Sequence, residues 1–186
     1  MNRVLPVIVW LCISVVAVGQ GYEKEAKKQL KTLKKEGWQT LPQDEELLAQ
    51  LTQSLELRGN AGTSRILVSE GASTTENFEA AMKTSSLMAE RNLAGLFASS
   101  VASLVKSDKT SGLERFLSES IVKVAASIKT DKVMRIYRES EGNYEFRTVV
   151  SCRFRDIWNL LPSDDKSTLE TQFGLTDEAI DSTGGK

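Results

Sequence analysis

The sequence predicts an α+β fold in which two long helices pack on a small antiparallel sheet, in the order β-α-α-β-β, after an N-terminal helical extension. Two observations lead to this prediction. Apolar residues recur at helical spacing through residues 75–106 and 110–129, and they then alternate with polar residues through 132–140 and 144–154. The spacing of apolar residues thus changes from a period of about 3.6 residues, typical of a helix, to a period of two, typical of a strand. Helices and strands that occur in separate stretches of the chain are typical of the α+β class.

The chain begins with a segment typical of a secretory signal peptide. Arg3 precedes an apolar run from Val4 to Val18, and the small residues of Ala17-Val18-Gly19 end it. We therefore expect residues 1–19 to be removed, so that the mature protein begins near Gln20. An uncleaved anchor is the alternative, although a membrane span needs about 20 apolar residues and this run is shorter. The expected location is the periplasm or the outer membrane of a Gram-negative bacterium.

The composition excludes several classes of function. The 186 residues contain no histidine, which removes the commonest general base at neutral pH and the commonest zinc ligand. Cys12 lies in the signal segment, so Cys152 has no partner for an internal disulfide. The full chain has 24 Lys and Arg residues and 25 Asp and Glu residues. Removal of the signal segment takes away Arg3, so the mature chain has 23 basic and 25 acidic residues and a net charge of −2. A net negative charge does not favour binding to nucleic acid. We predict no cofactor and no metal.

Residues 20–62 form the predicted helical extension. The lysine-rich helix over 21–36 has a narrow apolar stripe, which favours a place on the domain surface; a basic helix of this kind also allows peripheral membrane contact. A second helix is predicted over 44–57, because Pro42 precedes it, acidic residues fill its first turn and leucines recur on one face.

Residues 63–161 form the predicted α+β domain. Ile66-Leu67-Val68 predicts a short strand that is buried on both faces and broken by Gly71. The long helix over 75–106 has a surface of small residues, for which the helix over 110–129 is the expected partner. We therefore expect the two predicted helices to bury these faces against each other.

The two alternating runs predict a β-hairpin. Gly142 and Asn143 stand between them, and both residue types tolerate the positive φ of a tight turn. In the second strand, the face with Phe146 is expected to pack on the helices, and the face with Arg147 and Val149 is expected to meet water. Beyond the domain, residues 162–186 form an acidic C-terminal tail, in which a helix is predicted over residues 163–173.

Several of these pieces follow one another in a recognisable order: a strand with a Gly-Ala step, an alanine-rich helix, a second helix and a hairpin. They are Ile66 to Val68 with Gly71-Ala72, Ala89-Glu90-Arg91-Asn92-Leu93-Ala94, and Val133 to Arg138 with Tyr144 to Phe154 around Gly142. In this order the chain resembles the bacterial Lpp-twenty lipoprotein family from Arg65 to Phe154. The resemblance implies an envelope protein with a helix pair on a small sheet and no shared enzymatic site. This chain departs from it by lacking a cysteine placed for lipidation.

Two features that could indicate chemistry, Cys152 and an acidic group at residues 164–170, have structural explanations. Cys152 alternates with apolar residues along its strand, so we expect a buried, inert thiol rather than a reactive one. Asp164, Asp165 and Glu170 lack the spacing of a calcium loop, and acidic residues at a helix start need no metal. We expect these carboxylates to be solvated.

The expected function is that of an exported, non-enzymatic accessory or interaction protein, with another envelope protein as its partner. Arg135, Arg147 and Arg153 on the hairpin are the candidate partner-binding residues. One alternative is a periplasmic carrier that holds a small ligand in the groove between helices and sheet. Another is a histidine-free hydrolase, for which Ser120 and Lys123 supply a nucleophile and a base on one helix, although Ser120 lies on its apolar stripe.

Overall fold

A computed structural model describes residues 21–60, 65–105, 110–124 and 127–182. The predicted signal peptide, residues 1–19, and the predicted start at Gln20 lie outside these residues. Among the helices in the described ranges, none is both long enough and apolar enough to cross a membrane.

Helices and strands combine in one α+β fold, which confirms the predicted class. In chain order they are α1 (residues 21–35), β1 (Gln39–Thr40), α2 (Leu47–Gly59), β2 (Ile66–Thr75), α3 (Phe78–Ala102), α4 (Thr110–Val124), β3 (Asp131–Ser140), β4 (Asn143–Arg153), α5 (Phe154–Leu160), α6 (Ser163–Phe173) and α7 (Asp177–Ser182). The strands form one antiparallel sheet in the order β1-β3-β4-β2.

The hairpin between β3 and β4 turns at Glu141 and Gly142, whose φ angles are +53° and +78°. A two-residue turn with positive φ at both positions matches the twist of the flanking strands. The prediction assigned the turn conformation to Gly142 and Asn143. Asn143 instead pairs with Ser140 at the start of β4, so the turn begins one residue earlier.

Strand β2 does not break at Gly71, and this prediction is wrong. The strand continues through Gly71, which pairs with Thr148 of β4. A Cβ atom on Gly71 would lie 2.2 Å from the carbonyl oxygen of Ser85 and 2.3 Å from the backbone nitrogen of Ala89. The missing side chain therefore lets α3 lie directly on the strand.

Helix α3 packs its small residues against the sheet. The Ser69 hydroxyl donates to the carbonyl of Ala89 at 2.5 Å, and the hydroxyls of Ser85 and Thr148 share a hydrogen bond of 2.8 Å. The sequence predicted the next helix as the partner of this surface. The sheet takes that role around Ala89, because Gly71 removes the side chain that would separate helix from strand.

The larger core lies on this same side of the sheet. It joins the C-terminal half of α3 to α4, β4 and the three short C-terminal helices. Leu169, Leu175 and Ile180 are buried in it, so the described part of the predicted acidic tail packs onto the domain. Trp158 is 1% exposed and donates its indole N–H to Asp177 at 2.7 Å, which ties α5 to α7.

The opposite face of the sheet is covered by α1 and α2, where the sequence predicted water. Val149 is fully buried and Ser151 is 5% exposed. The N-terminal helices supply apolar side chains that cover Val149. This second core consists of Ala26, Trp38, Leu47, Leu51, Val133, Met134, Ile136 and Val149. The sheet is therefore the middle layer of three.

Candidate functional site

A cleft of about 410 Å³ lies between α1, α2 and the covered face of the sheet. Its apolar lining is formed by leucines from the two helices together with two residues of β3. They are Leu33, Leu51, Leu55, Met134 and Ile136. The volume falls in the range of small-molecule sites. The other lining residues are polar, and six of them are charged: Glu25, Lys28, Glu36, Arg58, Glu70 and Arg147.

Arg147 of β4 lines this cleft and rests on an aromatic ring. Its guanidinium carbon lies 4.6 Å from the centroid of the Trp38 ring. Arg138 contacts the same ring at 4.9 Å, but Arg138 also pairs with Glu145 at 2.7 Å. Within the described part of the chain no carboxylate forms an ion pair with Arg147, so its charge is available to the cleft.

Trp38 fixes the position of this arginine. The ring is 4% exposed, and its indole N–H donates to Glu36 at 3.1 Å. A planar guanidinium gains cation–π stabilisation on such a ring, and the ring restricts its motion. Arg147 is therefore a positioned cation rather than a freely solvated one.

Ser54 of α2 adds a hydroxyl to the cleft wall. It is 5% exposed, and within the described ranges its hydroxyl makes no hydrogen bond. A neighbouring ion pair, between Arg58 and Glu70 at 2.8 Å, joins α2 to β2 at the rim. The cleft thus combines an apolar wall with polar and charged groups, among which Lys28 and Arg147 are cations without an ion-pair partner in the described residues.

The three arginines predicted as partner-binding residues do not lie together. Arg135 donates from Nε to Asp44 at 2.9 Å and from Nη2 to the other oxygen of that carboxylate, so it anchors the start of α2 to β3. The register pairs Arg135 with Thr148 and Arg147 with Ile136, which places the two on opposite faces of the sheet. Arg153 is exposed and lies six residues beyond Arg147, about 20 Å along the strand.

A second cleft of about 300 Å³ lies beside the Arg135–Asp44 pair. Gln50 is engaged at this cleft: its side chain accepts from the backbone N–H of Arg135 at 2.9 Å and donates to the carbonyl of Glu45 at 2.7 Å. These contacts hold α2 on the edge of β3. The second cleft is smaller than the first, and the contacts on its wall hold α2 in place.

Ser120 and Lys123 do not form the nucleophile and base pair that the hydrolase alternative requires. Ser120 is fully buried on α4 and has no hydrogen-bond partner. Lys123 points to a different neighbour, Asp165 of α6, with Nζ to carboxylate distances of 3.0 and 3.1 Å. Asp165 is only 8% exposed, so the expectation of a solvated carboxylate is wrong at this position. Its charge is balanced by the lysine.

Cys152 is buried, at 5% exposure. Burial raises the pKa of its thiol from 9.0 to about 11, and the negative charges of Asp156 and Asp131 add to the increase. The thiolate is the reactive form, so this environment suppresses reactivity. Among the described residues, no three Asp, Glu or Cys side chains lie close enough together to hold a metal ion.

No protein-family model, no curated protein and no solved structure matches this chain. The resemblance to the Lpp-twenty family therefore stays a prediction from the residues quoted for it.

Proposed function

We propose that the protein is an exported, non-enzymatic accessory protein of a Gram-negative cell envelope that binds a small ligand in the cleft between α1, α2 and the sheet. The single observation behind the ligand-binding role is a cleft of about 410 Å³ with an apolar wall and an unpaired, positioned Arg147; the export rests on the signal-like sequence of residues 1–19. This favours the small-ligand carrier over protein docking through an arginine face, because Arg135 is engaged by Asp44.

The binding test uses the mature chain from Gln20 and the neutral dye N-phenyl-1-naphthylamine, whose fluorescence rises in apolar surroundings. Wild-type protein should give a saturable rise with one site. Thr32→Trp fills the cleft from an exposed position on α1, and Ser54→Phe fills it from α2. Both variants should lose the rise.

The control is Ser118→Phe, an equal change at an exposed serine of α4. This variant should bind the dye as the wild type does. Absence of binding to the wild type, or equal binding by Thr32→Trp, would overturn the proposal. Circular dichroism of each variant separates loss of binding from loss of fold.

Export is tested by fractionating the native host with a high-salt wash. We expect the chain beginning near Gln20 in the soluble periplasmic fraction, or released from the outer membrane by salt. A chain that keeps residues 1–19 and stays in salt-washed inner membranes would contradict cleavage. A cytoplasmic chain would contradict export.

A further inference from the structure

We infer that the ligand of this cleft is a free alkyl carboxylate: one negative charge on a flexible apolar body. The inference rests on the proposed function and adds the chemical class of the ligand. Three features of the cleft lead to it, namely the charge of Arg147, the hydroxyl of Ser54 and the distribution of acidic residues around the rim.

Arg147 is the group that selects an anion. Lys28 lies exposed on α1 at the rim, and Arg58 is paired with Glu70. Arg147 is half-buried on Trp38 beside the apolar wall, so its charge is less screened by water than that of Lys28. A carboxylate accepts two parallel hydrogen bonds from a guanidinium, a geometry that a lysine ammonium does not supply.

Ser54 supplies the second polar contact. The Ser54 hydroxyl makes no hydrogen bond within the described residues, so it can donate to an acceptor on a ligand in the cleft. The carboxylate has lone pairs for both the serine and the arginine. The neighbouring wall of Leu51, Leu55 and Met134 then requires an apolar body next to the charged group.

The acidic residues on the rim argue against a ligand with several negative charges. Glu25, Glu36 and Glu70 all line the cleft. Glu70 is neutralised by Arg58, but Glu25 and Glu36 have no ion-pair partner among the described residues. For a second negative charge the rim offers these carboxylates and the exposed Lys28, and an ion pair with a water-exposed lysine contributes little. On the apolar wall a second charge would be unfavourable. The cleft is therefore complementary to a monoanion.

The test is calorimetric titration of the mature chain with four ten-carbon probes below their micelle concentrations. Decanoate should bind saturably with one site, and decan-1-ol, decylamine and the dianion decanedioate should each bind at least about tenfold more weakly. Arg147→Gln should weaken decanoate binding roughly 10- to 100-fold, the effect of losing a charged hydrogen-bond donor. It should leave decan-1-ol binding unchanged.

Arg153→Gln is the matched control, because Arg153 lies on the same strand outside the cleft. It should bind decanoate as the wild type does. Equal affinity for all four probes, lost together in Thr32→Trp, would overturn the carboxylate and leave the small-ligand function standing. Binding of the dye without binding of decanoate would likewise overturn only the carboxylate ligand. If neither the dye nor any probe binds, both the carboxylate ligand and the small-ligand function are overturned.

Discussion

Ser120 carries the one buried side-chain polar atom without a hydrogen-bond partner among the described residues. On folding this hydroxyl loses its hydrogen bonds to water and forms none within the described residues, which costs about 1–3 kcal/mol. We expect Ser120→Ala to raise the free energy of unfolding by about 1 kcal/mol, as measured by urea denaturation. Ser118→Ala is the control: that exposed hydroxyl bonds the Glu114 carbonyl at 2.8 Å, and its loss should change stability by less than about 0.5 kcal/mol. A less stable Ser120→Ala would contradict this account.

Cys152 gives a prediction about reactivity and pH. Because burial raises its pKa to about 11, the native thiolate fraction at pH 8 is about 100-fold below that of an unfolded chain. Labelling with 5,5′-dithiobis(2-nitrobenzoate) should therefore slow by at least that factor in native protein relative to urea-unfolded protein. The folded state favours the thiol, so this contribution to stability is complete below about pH 9 and is lost as the pH rises toward 11. Equally fast labelling in both states would exclude a buried thiol.

Single residues differ in how far the sequence predicted their roles. The burial of Cys152 followed from alternation along one strand, which is local information. The role of Arg147 did not, because it depends on Trp38, which lies more than a hundred residues away in the chain. Ser54 likewise gave no signal, since a serine within a leucine-rich helix is ordinary until a cleft is known to open beside it.

The contact between β2 and α3 depends on Gly71. A methyl group there would meet backbone atoms of Ser85 and Ala89, and backbone cannot move aside as a flexible side chain does. We expect Gly71→Ala to lower the free energy of unfolding by about 2 kcal/mol or more. Gly95→Ala is the matched control on α3, where nothing lies within 4 Å of an added Cβ. It should raise stability by about 0.5–1 kcal/mol through helix propensity. Equal stability of the two variants would show that the close approach is not needed.

Helices and strands with a regular spacing of apolar residues were predicted well. Elements whose limits depend on tertiary contacts were not. The predicted helix over residues 163–173 matches α6, and the alternating runs became β3 and β4. The end of β2 was missed because a glycine in a strand has two explanations, a break or a close approach of backbone. Only the position of α3 distinguishes them. Helix α5 was missed because it follows β4 directly, without a separate start signal.

At the scale of the whole molecule, the sheet has a helical layer on each face. The sequence predicted the N-terminal helices as an extension, because alternation in β4 shows one apolar face and one mixed face. The mixed face contains the polar residues Arg147, Ser151 and Arg153. Ser151 is nevertheless buried, and Val149 is buried against α1 and α2. Covering this face creates the cleft, so the candidate site could not be predicted before the layer was known.

The N-terminal helices should therefore be required for folding. Deleting residues 20–62 would expose the second core, including Val133, Ile136 and Val149. We expect the remaining chain to lose its cooperative urea transition and to bind 8-anilinonaphthalene-1-sulfonate, because an exposed apolar sheet face is unstable in water. The mature chain from Gln20 is the control. A truncated chain that keeps a cooperative transition would show that residues 63–186 fold independently.

The most direct test of the cleft is NMR spectroscopy of the ¹⁵N-labelled mature chain during titration with decanoate. That chain contains two tryptophans, Trp38 beside the cleft and Trp158 in the core on the opposite face of the sheet. We predict that the indole N–H signal of Trp38 shifts saturably, because the ligand contacts the Arg147 that rests on its ring, and that the signal of Trp158 stays in place. A shift of Trp158 alone, or no shift of either signal at saturating decanoate, would contradict a binding site between α1, α2 and the sheet.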